Sequence, residues 1–101
     1  MITVRAEYHA RFREITTVAE ETLQLEQPLV AELARLLTQK YGPRMEALLI
    51  DPDTKDLNNK GTLFLDSKGR RISIDDTLED GEVISFMVGI AGGSGVQESG
   101  R

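Results

Sequence analysis

The chain has 101 residues, 40% of them apolar and 29% charged, with no cysteine and a formal net charge of −5. That length holds one domain with a modest core and leaves no room for a second, and the missing cysteines exclude a disulfide framework and a thiol nucleophile. The acidic balance argues against nucleic acid as a partner, since phosphate binding needs surplus Lys and Arg, and no apolar run approaches the roughly 20 residues of a membrane span.

The sequence opens on a strand pattern, with nothing that reads as a signal peptide, and a cytoplasmic location is expected. Ile2, Val4, Ala6 and Tyr8 alternate with Thr3, Arg5 and Glu7, the period of two of a strand with one buried face. His9 to Ile15 is mixed and reads as a turn region anchored by Phe12. A second strand is expected over about Thr17 to Leu25, with Leu23 and Leu25 inward and Glu20, Glu21 and Glu26 keeping its exposed side polar. Two adjacent strands at the start suggest an antiparallel hairpin.

Pro28 is placed in the first turn of a helix, where its missing N–H does no harm. Leu29, Val30, Leu33, Ala34, Leu36, Leu37 and Tyr41 recur at helical spacing, with Glu32, Arg35, Gln39 and Lys40 on the other face. Gly42 then ends the helix and Pro43 prevents its continuation. Arg44 to Ile50 fits either a short helix or an extended segment, and Asp51 to Lys60 reads as a loop. Thr62 to Asp66 is a third strand, and Arg70 to Ile74 a short strand or edge piece. Asp75 to Leu78 is a turn or a single helical turn that Asp75 or Asp76 could cap, and Asp80-Gly81 is a tight turn. The final strand puts Ile84, Phe86, Val88 and Ile90 on one face. The order describes an α+β domain of two layers, a mixed sheet of four to five strands crossed by one long helix. The domain is taken as residues 1–91, with 92–101 a flexible Gly-Gly arm and tail.

Catalytic constellations are scarce. His9 lacks partners and reads as a surface histidine. Glu20 and Glu21 are neighbours in a strand and so point to opposite faces. Asp51-Pro-Asp-Thr-Lys-Asp56 lacks the central glycine and terminal glutamate of a calcium loop. No catalytic residue, metal or bound cofactor is expected. Gly92-Gly93 remains. On composition it is a hinge before a tail. Alternatively it is a thread: glycine backbone is slender enough to enter a narrow active site, where a carboxylate could be activated.

Here the chain resembles a known family. Val30-Ala-Glu-Leu-Ala-Arg-Leu-Leu-Thr-Gln-Lys-Tyr-Gly-Pro43, Leu78-Glu-Asp-Gly-Glu-Val-Ile-Ser-Phe86 and Ile90-Ala-Gly-Gly93 are similar, in this order, to segments of the MoaD/ThiS-type ubiquitin-like sulfur carriers. The resemblance covers Met1 to Gly93 and implies a β-grasp fold. It implies a carrier rather than an enzyme. Gly93 would be adenylated by a MoeB/ThiF-type enzyme using ATP, converted to a thiocarboxylate, and inserted with Gly92 and Ala91 into an acceptor. A MoaE-like synthase large subunit is the first expected acceptor, in molybdopterin or tungstopterin synthesis; a thiamin-type pathway fits Ile90-Ala-Gly-Gly93 equally. The docking surface is expected beside the last strand, with Met87, Phe86, Val88 and Ile90 as candidates; Met87 is either exposed there or buried against the other layer. Two departures stand out. Pro28-Leu29 replaces the family's Thr-Val, which is structurally benign, and eight residues follow Gly93. With that tail Gly93 carries an amide, so carrier chemistry needs a processing protease. A β-grasp binding subunit that keeps its tail is the rival reading, and conjugation to lysines of other proteins a third.

Overall fold

The computed structural model describes residues 1–89. The elements run β1 (Ile2–Tyr8), α1 (Arg11–Thr16), β2 (Glu20–Leu25), α2 (Val30–Tyr41), α3 (Pro43–Leu49), β3 (Thr62–Leu65) and β4 (Val83–Val88). The four strands form one mixed sheet in the order β2-β1-β4-β3. β1 and β2 are antiparallel with Ile2 opposite Leu25, β1 and β4 are parallel with Ala6 opposite Ile84, and β3 and β4 are antiparallel with Phe64 opposite Phe86. A parallel central pair needs a long crossover, and everything between β1 and β4 supplies it.

The inward faces are set by alternation. Val4, Ala6 and Tyr8 of β1, Leu25 of β2, Phe64 of β3 and Ile84 and Phe86 of β4 are buried. They meet Val30, Leu33, Ala34 and Leu37 of α2, one stripe at helical spacing, with Met45 and Leu49 of α3 beside it. Phe12, Phe64 and Phe86 form a ring cluster with centroids 5.6 Å apart in each pair, edge-on as ring quadrupoles prefer.

Several expectations are corrected. The turn expected over His9–Ile15 is instead the short helix α1; Phe12 anchors it as expected, fully buried. β2 begins at Glu20 rather than Thr17, because Thr17 caps α1 in a left-handed conformation (φ 64°) with its N–H on the Arg13 carbonyl. Pro28 lies outside α2, whose N-cap is Leu29. Of the two readings open for Arg44–Ile50, the short helix is the one observed: α3 spans Pro43–Leu49, with Pro43 in its first turn. Arg70–Ile74 forms no strand; Arg71 makes an isolated bridge to Leu65. Asp76 caps no helix and instead accepts the Ser73 N–H across a turn (2.8 Å).

Glu21 also departs from its expected exposed position. It shares the inward register of Leu23 and Leu25, and its carboxylate accepts hydrogen bonds from the Tyr8, Tyr41 and Lys40 side chains. The Asp80-Gly81 turn is present: Glu82 N–H donates to the Glu79 carbonyl (3.1 Å), Gly81 takes φ 86°, and Asp80 Oδ1 accepts the Thr3 N–H (2.8 Å), tying the turn to β1.

Candidate functional site

β4 is the last strand among the described residues, and Gly92-Gly93 follow it in sequence. Its residues alternate: Ile84 and Phe86 enter the core, while Val83, Ser85 and Met87 occupy the outer face. At the strand's end the His9 N–H donates to the Phe86 carbonyl (3.0 Å) and the Gly89 N–H to the Gly61 carbonyl (2.9 Å). Two loops thereby clamp the strand at its last residues. Gly89 is exposed at this end. The expected arm residues Ile90, Ala91, Gly92 and Gly93, and the boundary placed at 91, lie outside the described residues.

The remaining candidates separate. Met87 is half-buried on the outer face and stands directly opposite Leu63 of β3. Val83 and Leu65 are half-buried on the same face. None of these four belongs to the set packed against the core. They make an apolar strip along β3 and β4. The β1 and β2 half of that face carries Thr3, Arg5, Glu7, Glu20, Thr22 and Gln24, with Arg5 and Glu7 paired at 3.4 Å. Phe86 is corrected: it is 2% exposed inside the ring cluster and offers nothing to a partner. Val88 is half-buried and packs against the core edge. Leu63, Leu65 and Val83 are docking candidates that the sequence does not single out. Thr-Leu-Phe-Leu has no clean polar alternation, so its outward face cannot be read without the pairing register.

Among the described residues there is no group of three His, Cys, Asp or Glu side chains able to hold a metal. A cleft of about 420 Å³, lined by charges of both signs, lies between the loops at Asp66–Ile72 and Asp76–Glu82. Its carboxylates serve the loops. Asp66 accepts the N–H groups of Lys68 and Arg70, Glu82 accepts that of Ser67, and Asp76 that of Ser73. These backbone donors hold the Asp66 carboxyl below the usual range. This is turn chemistry with no nucleophile or base in reach of another.

Neither a family model nor a curated protein matches the chain. Solved structures do. The Pyrococcus furiosus protein named for molybdopterin converting factor, subunit 1, is 25% identical with a TM-score of 0.68, over 87% of this chain and 98% of that one. Haloferax volcanii SAMP1 superposes with a TM-score of 0.73 at 14% identity, over 90% and 99% of the two chains. The fold is that of the MoaD/ThiS-type ubiquitin-like proteins. Urm1 from Trypanosoma brucei has it too, with a TM-score of 0.66 at 20% identity over 90% of this chain and 95% of that one. The architecture is therefore a ubiquitin-like β-grasp, shared with small sulfur carriers and protein modifiers. In this β-grasp the outer strip lies on β3 and on β4, the strand that Gly92-Gly93 follow in sequence. No helix among the described residues is long and apolar enough to cross a membrane.

Proposed function

We propose that this β-grasp protein is a sulfur carrier that works through Gly93. The observation that carries the reading is the likeness to a molybdopterin converting factor subunit over nearly the whole of both chains, in a sequence whose last strand leads into Gly92-Gly93. The protein itself performs no catalysis and holds no cofactor. ATP is bound by its activating enzyme, of the MoeB/ThiF type, in the cytoplasm.

The chemistry follows from the bonds present. Gly93 is joined to Ser94, so a protease first hydrolyses that peptide bond and frees a carboxylate. The carboxylate attacks the α-phosphorus of ATP, pyrophosphate leaves, and a mixed anhydride with AMP forms. A persulfide donor then displaces AMP to give an acyl disulfide, and a second thiol cleaves its S–S bond, ending as a disulfide with the donor sulfur while the thiocarboxylate leaves; the acceptor consumes that thiocarboxylate. A synthase large subunit of the MoaE type, acting in molybdopterin or tungstopterin synthesis, is the acceptor favoured here. Val83, Met87, Leu63 and Leu65 form the docking strip. Glycine at 92 and 93 keeps the arm thin enough for the partner's channel.

The test is ATP–pyrophosphate exchange with purified activating enzyme and three forms of the protein: the full chain, a chain ending at Gly93, and that chain with Gly93→Ala. Exchange with the second form alone supports the carrier. Equal exchange with all three, or none with any, contradicts it. In the second case the adaptor reading, in which the eight following residues are retained, takes its place.

A further inference from the structure

We propose that Glu21 is a polar clasp holding the last turn of α2 onto β2, and that this turn opens as a local unit when the clasp is broken, while the sheet and the rest of the core stay closed. The Glu21 side chain is 13% exposed. One oxygen accepts both phenol hydroxyls, Tyr8 from β1 and Tyr41 from α2, and the other accepts the Lys40 ammonium. Three donors from two elements thus converge on one carboxylate. A charge-assisted bond out of full solvent outweighs a neutral one.

The helix gives the reason for local opening. Its fully buried anchors end at Leu37. Beyond them, Tyr41 is only half-buried and Lys40 has 54% of its side chain exposed. Full burial therefore holds the first turns, whereas the last has only the Tyr41 ring at the core edge, 6.4 Å edge-on from that of Tyr8, and the clasp completes its hold. Gly42, at φ 84° with open space where a Cβ would stand, joins α2 to α3. α3 has anchors of its own in Met45 and Leu49, so it does not need the last turn of α2 in place. Tyr8 is kept by its ring, 5.4 Å from that of Phe86. Release of its hydroxyl leaves β1 and β4 paired.

The groups facing Glu21 are Tyr8 from β1 and Lys40 and Tyr41 from α2; Glu7 and Glu20 lie on the opposite face of the sheet. Burial pushes the Glu21 carboxyl up, and the bonds from Lys40, Tyr41 and Tyr8 more than offset this, leaving it below the usual glutamate range. Acid therefore opens the clasp.

The test is residue-resolved amide hydrogen exchange on the full chain near neutral pH, for wild type, Glu21→Gln and Tyr41→Phe. The glutamine side chain of the first variant keeps an acceptor for the phenols but turns an N–H₂ towards the Lys40 ammonium. In that variant the amides of Lys40, Tyr41 and Gly42 should exchange about tenfold faster, with those of Leu33 to Leu37 and of β1 unchanged. Tyr41→Phe should give a smaller rise at the same amides. Unchanged exchange at Lys40 to Gly42 overturns the proposal. An equal rise across the sheet, or failure of Glu21→Gln to fold, overturns it as well, since the carboxylate would then support the whole fold rather than one turn.

Discussion

Ala10 holds a conformation that L-residues avoid. It sits at φ 53°, ψ −124° between β1 and α1, and the Phe12 N–H donates to the His9 carbonyl across it (3.1 Å). That is the second position of a type II′ turn, where glycine is preferred. The turn has to be this tight because Phe12 must reach the ring cluster two residues later. Ala10→Gly should therefore raise stability by about 1 kcal/mol, read as a higher denaturant midpoint at unchanged slope. A lower midpoint would mean that the strain is absent. Glu21 gives the residue-scale pH prediction. Its folded pKa lies below its unfolded one, so its contribution is complete above the unfolded glutamate range and fades as pH falls through the folded value. Wild type should lose more stability than Glu21→Gln on titration from pH 7 to acid; parallel losses would remove Glu21 from the account.

The elements show where packing decides. Phe86 joins β4 to α1 and β3 through its ring contacts, so Phe86→Ala should cost about 3–5 kcal/mol in equilibrium denaturation. A cost under about 1 kcal/mol would show that the cluster collapses around the gap. Legibility in the sequence follows the same line. β1, α2 and β4 are readable because each carries several inward residues at one period. α1 is not, since six residues with Phe12 as chief anchor leave no period to detect. The charge of Glu21 points to solvent, although its register with Leu23 and Leu25 already points inward. Alternation is enough to find Met87. Leu63 and Leu65 become visible only when pairing with β4 fixes which face they occupy. Phe86 lies next to the docking residues in sequence, yet its own alternation buries it.

At the scale of the molecule, one face of the sheet is covered by helices, and the other divides into a charged half and an apolar strip. The strip lies on β3 and on β4, the strand that Gly92-Gly93 follow in sequence, which makes it the docking surface in this account. Met87→Thr together with Leu63→Thr should lower kcat/KM for adenylation of the chain ending at Gly93 by about tenfold, while the thermal midpoint moves by a few degrees at most, because neither side chain packs on the core and threonine suits a strand. An unchanged kcat/KM would move the docking surface elsewhere.

The central claim is that Gly93 becomes a free carboxylate and carries sulfur. The most direct measurement is the intact mass of the protein isolated from its own cells. A chain ending at Gly93 is expected, a fraction of it with one oxygen replaced by sulfur. A population that still continues past Gly93 would contradict the claim, because an amide at Gly93 cannot be adenylated.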